Sequence, residues 1–436
     1  MSQAIINALH KLEQVYTNRT PNSKAAIHEA SKVMPSGETR SILHFSPYPF
    51  VVERAEGTTI TDIDGNTYHD FVNDYSAGLY GHSQPLIQAA IIEAVSNGLT
   101  LGCVNKYEAQ LAKLLVDRFP ALDKVRFTNS GTEANMMAIA TARAYTGRDK
   151  LLVMKGGYHG NAAFISPSAA RTNAPFEFVL GSFNDLEKTE QAAADCGDEI
   201  AAILVEPMLG AGGAIPGDKG FLQGLRDLAD RIGALLIFDE VMTSRTGPNG
   251  AQGLYGITPD LMACGKFLGG GSNFGAFGGR EDIMRLYDCN RTDAIMHGGT
   301  FNNNVITMAA GVTGIREIYT PKRAEKLFDD ATRFCKELND IVKEKGVAMQ
   351  LTGLGSIMAF HHHTQKVRNF DQFSLGKPES RVLLHMALLE RGFYIARRNY
   401  ISLSIVQGEE EFEAFKTAFA DVLDTYGDLF NEAAPD

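Results

Sequence analysis

The stretch ALLIFDE, residues 234–240, is an apolar run that ends in two carboxylates, and the helical pattern FLQGLRDLADRIG precedes it at 221–233. Two similar apolar runs stand upstream, KLLVM at 150–154 and IAAILV at 200–205, and a second helical pattern covers 133–147. Strands that are apolar throughout and alternate with helices are typical of a parallel sheet covered on both faces. The sequence therefore predicts an α/β fold.

The start of the chain follows other patterns. Residues 3–34 carry apolar residues near helical spacing and end at the breakers Pro35 and Gly37, which predicts a helical arm. Residues 50–71 alternate around two glycine turns, which predicts a small antiparallel meander.

The end of the chain mixes helices with strands. Amphipathic helices are predicted at 321–345 and 408–426, and strands near 350–360 and 399–405. A small α+β domain built from both chain ends would flank the large domain. The expected segments are 1–65 (arm and meander, part of the small domain), 66–315 (large domain) and 316–436 (C-terminal α+β domain).

Composition excludes several classes of protein. The 436 residues are 44% hydrophobic and 21% charged, as in a folded globular chain. The formal charge of −11 argues against a nucleic-acid partner. No stretch approaches the ~18–20 apolar residues of a membrane span, and the first residues match neither a signal nor a transit peptide. Five scattered cysteines predict reduced thiols and a cytoplasmic location.

The run His361-His362-His363 is too short to be a repeat. Three adjacent residues on a strand point to alternating faces, which disfavours a shared metal ion. We expect these histidines to be solvated, and we expect no metal site in the chain.

Residues directly after each apolar run are candidate site residues, because open parallel sheets bind ligands beyond the carboxyl ends of their strands. The segment TNSGTEAN, 128–135, follows a strand pattern and opens a helix. The helix dipole and the amides of Ser130, Gly131 and Thr132 would suit a phosphate. An ordinary capping box with Glu133 explains the same residues.

The segment GGYHG, 156–160, also follows an apolar strand. Its glycines permit close approach of a ligand, and Tyr158 offers a stacking face. A plain loop is the alternative explanation.

Two charged residues complete the set of candidates. Asp239 ends the run ALLIFD, and a buried carboxylate needs a cationic or hydrogen-bonding partner, either a protonated ring nitrogen or a residue such as Arg245. Lys266 lies in the apolar, glycine-rich ACGKFLGGG. If buried, its amine would favour the neutral form that an imine-forming nucleophile requires; a surface lysine is the alternative. Together the four features match what pyridoxal 5'-phosphate (PLP) needs.

The order of six motifs resembles the class III, fold-type I aminotransferases, most closely the branch around glutamate-1-semialdehyde aminomutase and the β-phenylalanine aminotransferases. The resemblance covers essentially the whole chain. The motifs are SGTEA (130–134), GGYHG (156–160), VEP (205–207), FDEVMTSR (238–245), GKFLGGG (265–271) and GGTFNNN (298–304).

This resemblance implies PLP as cofactor and a homodimer with shared active sites. It implies that Lys266 is the internal-aldimine lysine and carries the proton, and that Asp239 pairs with the pyridine nitrogen. The other implied cofactor contacts are Ser130, Gly131 and Thr132 at the phosphate, Tyr158 and Val241 on the two ring faces, and Thr300 at the phosphate of the neighbouring subunit.

The resemblance also suggests the substrates. Arg40 aligns with a substrate-carboxylate arginine of the branch, and Arg398 with a second one in the β-phenylalanine aminotransferases. Arg397 is the alternative to Arg398. Arginines suit two acids bound in turn, as in a transaminase. Tyr75 resembles the wall of the side-chain pocket, although a core position would also explain it. Ala211 stands where enzymes for ω-amino acids carry Glu, which disfavours such substrates.

We therefore expect transfer of an amino group from a β-amino acid, with aromatic ones such as β-phenylalanine favoured, to 2-oxoglutarate or pyruvate. The main alternative is intramolecular amino transfer, as in glutamate-1-semialdehyde 2,1-aminomutase. Another fold-type I reaction, such as decarboxylation or racemisation, and a catalytically silent PLP-binding protein are further alternatives.

Overall fold

A computed structural model describes residues 3–161, 163–166, 169 and 171–435. The helices are α1 (Gln3–Arg19), α2 (Pro21–Ala30), α3 (Pro85–Ser96), α4 (Lys106–Arg118), α5 (Gly131–Thr146), α6 (Leu186–Ala193), α7 (Lys219–Ile232), α8 (Gly250–Tyr255), α9 (Glu281–Met284), α10 (Val305–Thr313), α11 (Pro321–Lys345), α12 (Phe370–Phe373), α13 (Pro378–Glu390) and α14 (Glu409–Ala433). The strands are β1 (Val52–Glu56), β2 (Thr59–Asp62), β3 (Thr67–Asp70), β4 (Lys124–Thr128), β5 (Lys150–Met154), β6 (Glu177–Gly181), β7 (Ile200–Val205), β8 (Met208–Leu209), β9 (Ile215–Pro216), β10 (Leu235–Asp239), β11 (Leu261–Gly265), β12 (Gly275–Gly279), β13 (Gln350–Leu354), β14 (Ile357–His361), β15 (Phe393–Tyr394) and β16 (Tyr400–Ser402).

The chain divides into two compact units. The first takes in the chain up to Gln84, then Asp330–Val367, and the segment from Asp371 onward. The second consists of Pro85–Asp329 with Arg368–Phe370. The domain boundaries that the sequence suggests, after residues 65 and 315, stay a prediction.

The second unit is built on a sheet with the strand order β4-β12-β11-β10-β7-β5-β6. Strand β12 runs antiparallel to both neighbours, and the other neighbouring pairs of this sheet are parallel. Strands β7, β10 and β11 are buried along their whole length, as expected for strands covered on both faces. The predicted α/β fold with a mainly parallel sheet is confirmed.

Helix α5 connects β4 to β5 and packs on the sheet. The Ser130 hydroxyl caps its start by accepting the Glu133 amide, and Gly147 ends it in the left-handed conformation, at φ +69°. Apolar residues of α5, among them Ala134, Ala138 and Ile139, belong to one buried cluster with residues of β5, β7, β10 and β11. The core of this unit therefore lies where α5 packs on the sheet.

The first unit holds two small sheets. Strands β1, β2 and β3 form the predicted antiparallel meander, and β15 adds to it parallel to β3. Strands β13, β14 and β16 form a second antiparallel sheet. Helix α1 packs against α13, and α13 against α14. No helix in the described part of the chain combines the length and apolar character that a membrane crossing needs.

Local boundaries differ from the sequence prediction in three places. The helix predicted over 3–34 is two helices, because Pro21 has no amide to continue α1 and instead starts α2. The helix predicted at 408–426 continues to Ala433. The strand predicted near 399–405 contains only Tyr400–Ser402.

The expectation that His361, His362 and His363 are solvated was wrong. All three are buried, because each ring finds a polar partner inside the unit. Their Nε2 atoms lie 2.7 Å from Thr352 Oγ1, 2.6 Å from Asn399 Oδ1 and 2.9 Å from the Gln372 carbonyl oxygen, respectively. Burial lowers the pKa of His362 to about 4, so its ring is neutral near pH 7.

Candidate active site

Two charged residues of the second unit lie at the carboxyl ends of neighbouring strands. In the parallel pair β10 and β11, Asp239 lies opposite Ala263, and the Glu240 amide donates to the Ala263 carbonyl. Lys266 directly follows the last residue of β11. The pairing therefore brings the Asp239 and Lys266 segments to the same edge of the sheet, where ligands of such folds bind.

Lys266 starts a short 3₁₀ helix, Lys266–Gly269, and its own φ is +58°. A left-handed conformation costs a non-glycine residue roughly 1–2 kcal/mol, and such residues concentrate at functional sites. The strained backbone turns the chain sharply out of the sheet at this residue.

Asp239 is a buried carboxylate with three hydrogen-bond donors. His159 Nδ1 and Asn135 Nδ2 each lie 2.8 Å from Oδ2, and the Val241 amide donates to Oδ1 at 3.0 Å. Arg245, the alternative partner, is not among these donors. The hydrogen bonds offset the cost of burying the carboxylate and fix its direction.

The start of α5 leaves two backbone amides available for a ligand. Ser130 accepts the Glu133 amide at its hydroxyl and the Ala134 amide at its carbonyl. Ser130 therefore caps the helix, as the capping interpretation expects. The first-turn amides of Gly131 and Thr132 still have no acceptor within the helix. Capping and anion binding are compatible here.

Close backbone packing brings the four motifs together. A Cβ atom on Gly131 would lie 2.8 Å from both Val241 methyl carbons, and one on Gly265 would lie 3.5 Å from Val241 Cγ1. A Cβ atom on Gly160 would lie 2.6 Å from Thr132 Cα. The GGYHG loop therefore sits against the start of α5, and Val241 sits between α5 and the Lys266 segment.

Tyr158 is placed by a buried glutamate from the VEP motif. The Tyr158 and Gly210 amides donate to the two carboxylate oxygens of Glu206, at 2.9 and 3.0 Å. Burial raises the pKa of Glu206 to about 7; His159 opposes this rise and Asp239 adds to it. The partly exposed Tyr158 ring meets Phe164 edge to face.

Thr300 lies in an exposed loop of the second unit. Asn302 Oδ1 in that loop accepts from Asn129 Nδ2 at 2.8 Å, which ties the loop beside the start of α5. This hydrogen bond fixes the loop. The Thr300 side chain is exposed and faces away from the interior of its own chain.

The first unit contains Tyr75 in a left-handed turn. Asn73, Asp74, Tyr75 and Ser76 all have positive φ, between +44° and +78°. Asn73 Nδ2 donates to the Ser402 carbonyl at 2.6 Å and supports the turn from inside. Four such residues in succession are costly and hold Tyr75 in one orientation.

Both predicted substrate arginines lie beside the Tyr75 ring. The Arg398 guanidinium carbon is 5.2 Å from its centroid and that of Arg40 is 5.9 Å away. Arg40 also pairs with Asp74 at 2.6 Å, whereas Arg397 is exposed. The first unit thus brings Arg40, Tyr75 and Arg398 together.

The sequence prediction left out three residues that shape the site. Asn135 and His159 lie inside quoted motifs, and Glu206 is the acid of the VEP motif. Their spacing from Asp239 in the sequence gives no sign of contact. Only their positions after strands or near the start of a helix could have indicated them.

Comparisons with known proteins show the family to which this chain belongs. The family model described as aminotransferase class-III matches residues 44–398. The chain is 41% identical over 430 residues to the β-phenylalanine transaminase of Variovorax paradoxus, with 99% of each chain covered. The crystal structure of a β-phenylalanine aminotransferase from that organism matches with a TM-score of 0.96, covering 98% of this chain and 99% of the other.

More distant structures share the fold. A transaminase with PLP bound is 31% identical, with a TM-score of 0.85 over 95% of this chain and 99% of the other. A glutamate-1-semialdehyde aminomutase from Pseudomonas aeruginosa is 26% identical, with a TM-score of 0.88 over 97% and 99%. The chain belongs to the class-III aminotransferases. It is a fold-type I, PLP-dependent transaminase.

The buried hydrogen-bond network around Glu206 can be tested in the cofactor-free protein, through the pH dependence of its stability. Because its pKa is raised in the folded chain, its contribution to stability is present at low pH and is lost as pH rises through about 7. We expect the free energy of unfolding of cofactor-free Glu206→Gln to fall less between about pH 5 and pH 8 than that of the parent. Urea unfolding followed by circular dichroism measures this.

The exposed Glu281 supplies the matched control. Glu281→Gln should keep the parental pH profile. Parallel profiles for the parent and Glu206→Gln would contradict the buried, protonated state of this carboxyl.

Proposed function

We propose that this transaminase moves the amino group of a β-amino acid to 2-oxoglutarate or pyruvate, and that aromatic β-amino acids such as β-phenylalanine are favoured donors. The observation that carries this proposal is the placement of Arg40 and Arg398 beside the Tyr75 ring. The 41% identity to a β-phenylalanine transaminase supports it.

The residues at the sheet edge fit PLP. The buried Asp239 carboxylate, with His159 and Asn135 on one oxygen, suits a protonated ring nitrogen. The α5 amides at Gly131 and Thr132 suit a phosphate at a helix start. We propose that Ser130 completes the phosphate site, and that Val241 and Tyr158 cover the two faces of the ring.

When bound, PLP supplies the electron sink for the reaction. In our proposal, Lys266 Nζ would hold the cofactor covalently until the substrate amine displaces it, and the released Nζ amine would then take the proton from the substrate carbon that bears the amino nitrogen. Asp239 would face the ring nitrogen and stabilise its protonated form. His159 Nδ1 and Asn135 Nδ2 keep that carboxylate in place.

Substrate carboxylates are proposed to bind Arg40 and Arg398, and Tyr75 fixes both guanidinium groups. Burial raises the pKa of Tyr75 to about 12, so it remains a neutral phenol whose hydroxyl donates to the Ile42 carbonyl. Arginine reads a carboxylate through two parallel hydrogen bonds. We assign the amino donor to Arg40 and the 2-oxo acid to Arg398.

The half-reactions test this assignment. Loss of a charge-assisted bidentate pair, worth about 1.5–3 kcal/mol, should lower catalytic efficiency roughly ten- to a hundredfold. We expect Arg40→Ala to impair the reaction with β-phenylalanine most, and Arg398→Ala the reaction with 2-oxoglutarate. Stopped-flow absorbance of the cofactor, with each acid separately, measures both.

Arg333→Ala serves as control, because Arg333 pairs on the surface with Glu409. Unchanged rates with every acid in both test variants would contradict the assignment. If the parent isomerises glutamate 1-semialdehyde without any acceptor, the aminomutase alternative replaces the proposed function.

We also propose that the active form is a homodimer. Two hydrogen bonds join the loops at 99–104 and 296–304: Asn105 Nδ2 donates to the Asn303 carbonyl, and Asn303 Nδ2 donates to the Cys103 carbonyl. They expose large apolar side chains, which is typical of a surface that another chain covers. These side chains are Leu99, Leu101, Val104, Met296 and Phe301.

Thr300 lies within that surface and is proposed to contact the phosphate bound by the partner chain. A chain with Lys266→Ala and a chain with Thr300→Glu should each be nearly inactive alone. Mixed dimers should regain activity, because one site then has an intact Lys266 and an intact Thr300 from opposite chains. No recovery in verified heterodimers would mean that each chain completes its own site.

A further inference from the structure

The loop at 296–304, which carries the exposed Thr300, forms a tight turn at that residue. The Asn302 amide donates to the Gly299 carbonyl at 3.2 Å, which closes the turn around Thr300 and Phe301. A Cβ atom on Gly299 would clash with the Asn302 side chain, so the turn packs directly on that side chain. The position of Thr300 is therefore set by the residues that hold this turn.

Side chains on both sides of Thr300 connect the turn to the rest of the second unit. After Thr300 in the chain, Asn302 accepts from Asn129 beside the start of α5. Before it, His297 Nδ1 accepts from Arg126 Nε at 3.1 Å, and Arg126 belongs to β4. The loop is thus attached at both ends of the turn to neighbouring parts of one strand–helix connection.

The His297 ring and the Arg126 guanidinium are themselves oriented by their surroundings. The ring meets Phe277 and Tyr287 edge to face, with centroids 5.3 and 6.1 Å away. Arg126 Nη1 donates to the Tyr287 carbonyl at 3.4 Å, and the guanidinium carbon lies 5.2 Å from the Tyr287 ring centroid. The hydrogen bond between Arg126 and His297 therefore joins two groups whose directions are fixed.

This hydrogen bond requires a neutral His297 ring. A guanidinium has donors and no acceptor, so His297 Nδ1 must offer a lone pair to Arg126. A proton on Nδ1 would set an N–H group against the Arg126 N–H group and place a second positive charge beside the guanidinium. Protonation of the ring therefore removes the attachment of the loop to β4.

The groups that face His297 favour the neutral ring. Burial and the charge of Arg126 on β4 lower the pKa of His297, and Glu133 in the first turn of α5 opposes this. Tyr287 is a neutral phenol, because burial raises its pKa. The ring is therefore neutral at pH 7 and above, and it gains a proton below the ordinary histidine value of about 6.5.

We propose that His297 is a positioning residue for Thr300: its neutral ring, bound to Arg126, keeps the 296–304 loop in the form in which Thr300 reaches the phosphate held by the partner chain. The proposal rests on the shared site of the proposed function. Protonation of His297 releases the loop, so the cofactor is held more weakly in acid. His297 acts on the cofactor only through the loop.

Two substitutions of His297 separate the hydrogen bond from the packing of the ring. His297→Phe keeps an aromatic ring but has no acceptor, whereas His297→Asn places Oδ1 where Nδ1 accepts from Arg126. We expect the dissociation constant of pyridoxamine 5'-phosphate at pH 8 to rise about tenfold in His297→Phe and to stay near the parental value in His297→Asn. Calorimetric titration of the cofactor-free chain measures this. Parental affinity in His297→Phe, or an equal loss in both variants, would overturn the proposal.

The pH dependence of the same affinity gives a readout that packing alone does not move. Between pH 8 and pH 5 the parent should lose about fivefold more affinity than His297→Asn, because Asn keeps its acceptor at both pH values. His10→Asn, at an exposed position of α1, is the control and should follow the parent. Parallel pH profiles for the parent and His297→Asn would contradict the requirement for a neutral ring.

Hydrogen exchange separates this proposal from the shared site on which it rests. In the full-length holoenzyme at pH 8, the amides of 296–304 should exchange faster in His297→Phe than in the parent and in His297→Asn. Parental exchange in His297→Phe rejects the attachment of the loop through His297. Parental affinity for pyridoxamine 5'-phosphate in Thr300→Val instead rejects the contact of Thr300 with the partner's phosphate, and with it the shared site.

Discussion

The parallel pairing of β10 with β11 is the constraint on which the chemistry of this protein depends. Ladder hydrogen bonds set Asp239 opposite Ala263, and the chain leaves the sheet at Lys266 through a left-handed residue. Shifting β11 by one residue against β10 would turn the side chains of β11 to the opposite faces of the sheet. Complete burial of both strands prevents such a shift, because their apolar residues pack on each side.

Burying Asp239 creates a second requirement, which the loops around it meet. An uncompensated carboxylate in the interior would be protonated or destabilising, so His159 and Asn135 donate to it from two separate segments. Glu206, close by, holds the Tyr158 amide. The site is thus assembled by hydrogen bonds and by glycine contacts within the second unit, and the first unit independently fixes Arg40 and Arg398 beside Tyr75.

The sequence predicts the sheet well because its strands are apolar runs, and it predicts Asp239 and Lys266 because both follow such runs directly. It does not reveal the turn at Asn73–Ser76, where four non-glycine residues are left-handed and depend on Ser402, far away in the chain. It misjudges His362 for the same reason, since Asn399 satisfies the ring only in the folded chain. Long-range hydrogen bonds of this kind leave no periodic pattern in the sequence.

Chemical trapping of the cofactor at its lysine is the most direct measurement of the central claim. The holoenzyme is reduced with borohydride, digested, and its peptides are mapped by mass spectrometry. Our account predicts that the pyridoxyl group is found on Lys266, because that lysine alone directly follows the strand beside Asp239. A pyridoxyl group on another lysine, or an unmodified protein, would contradict it.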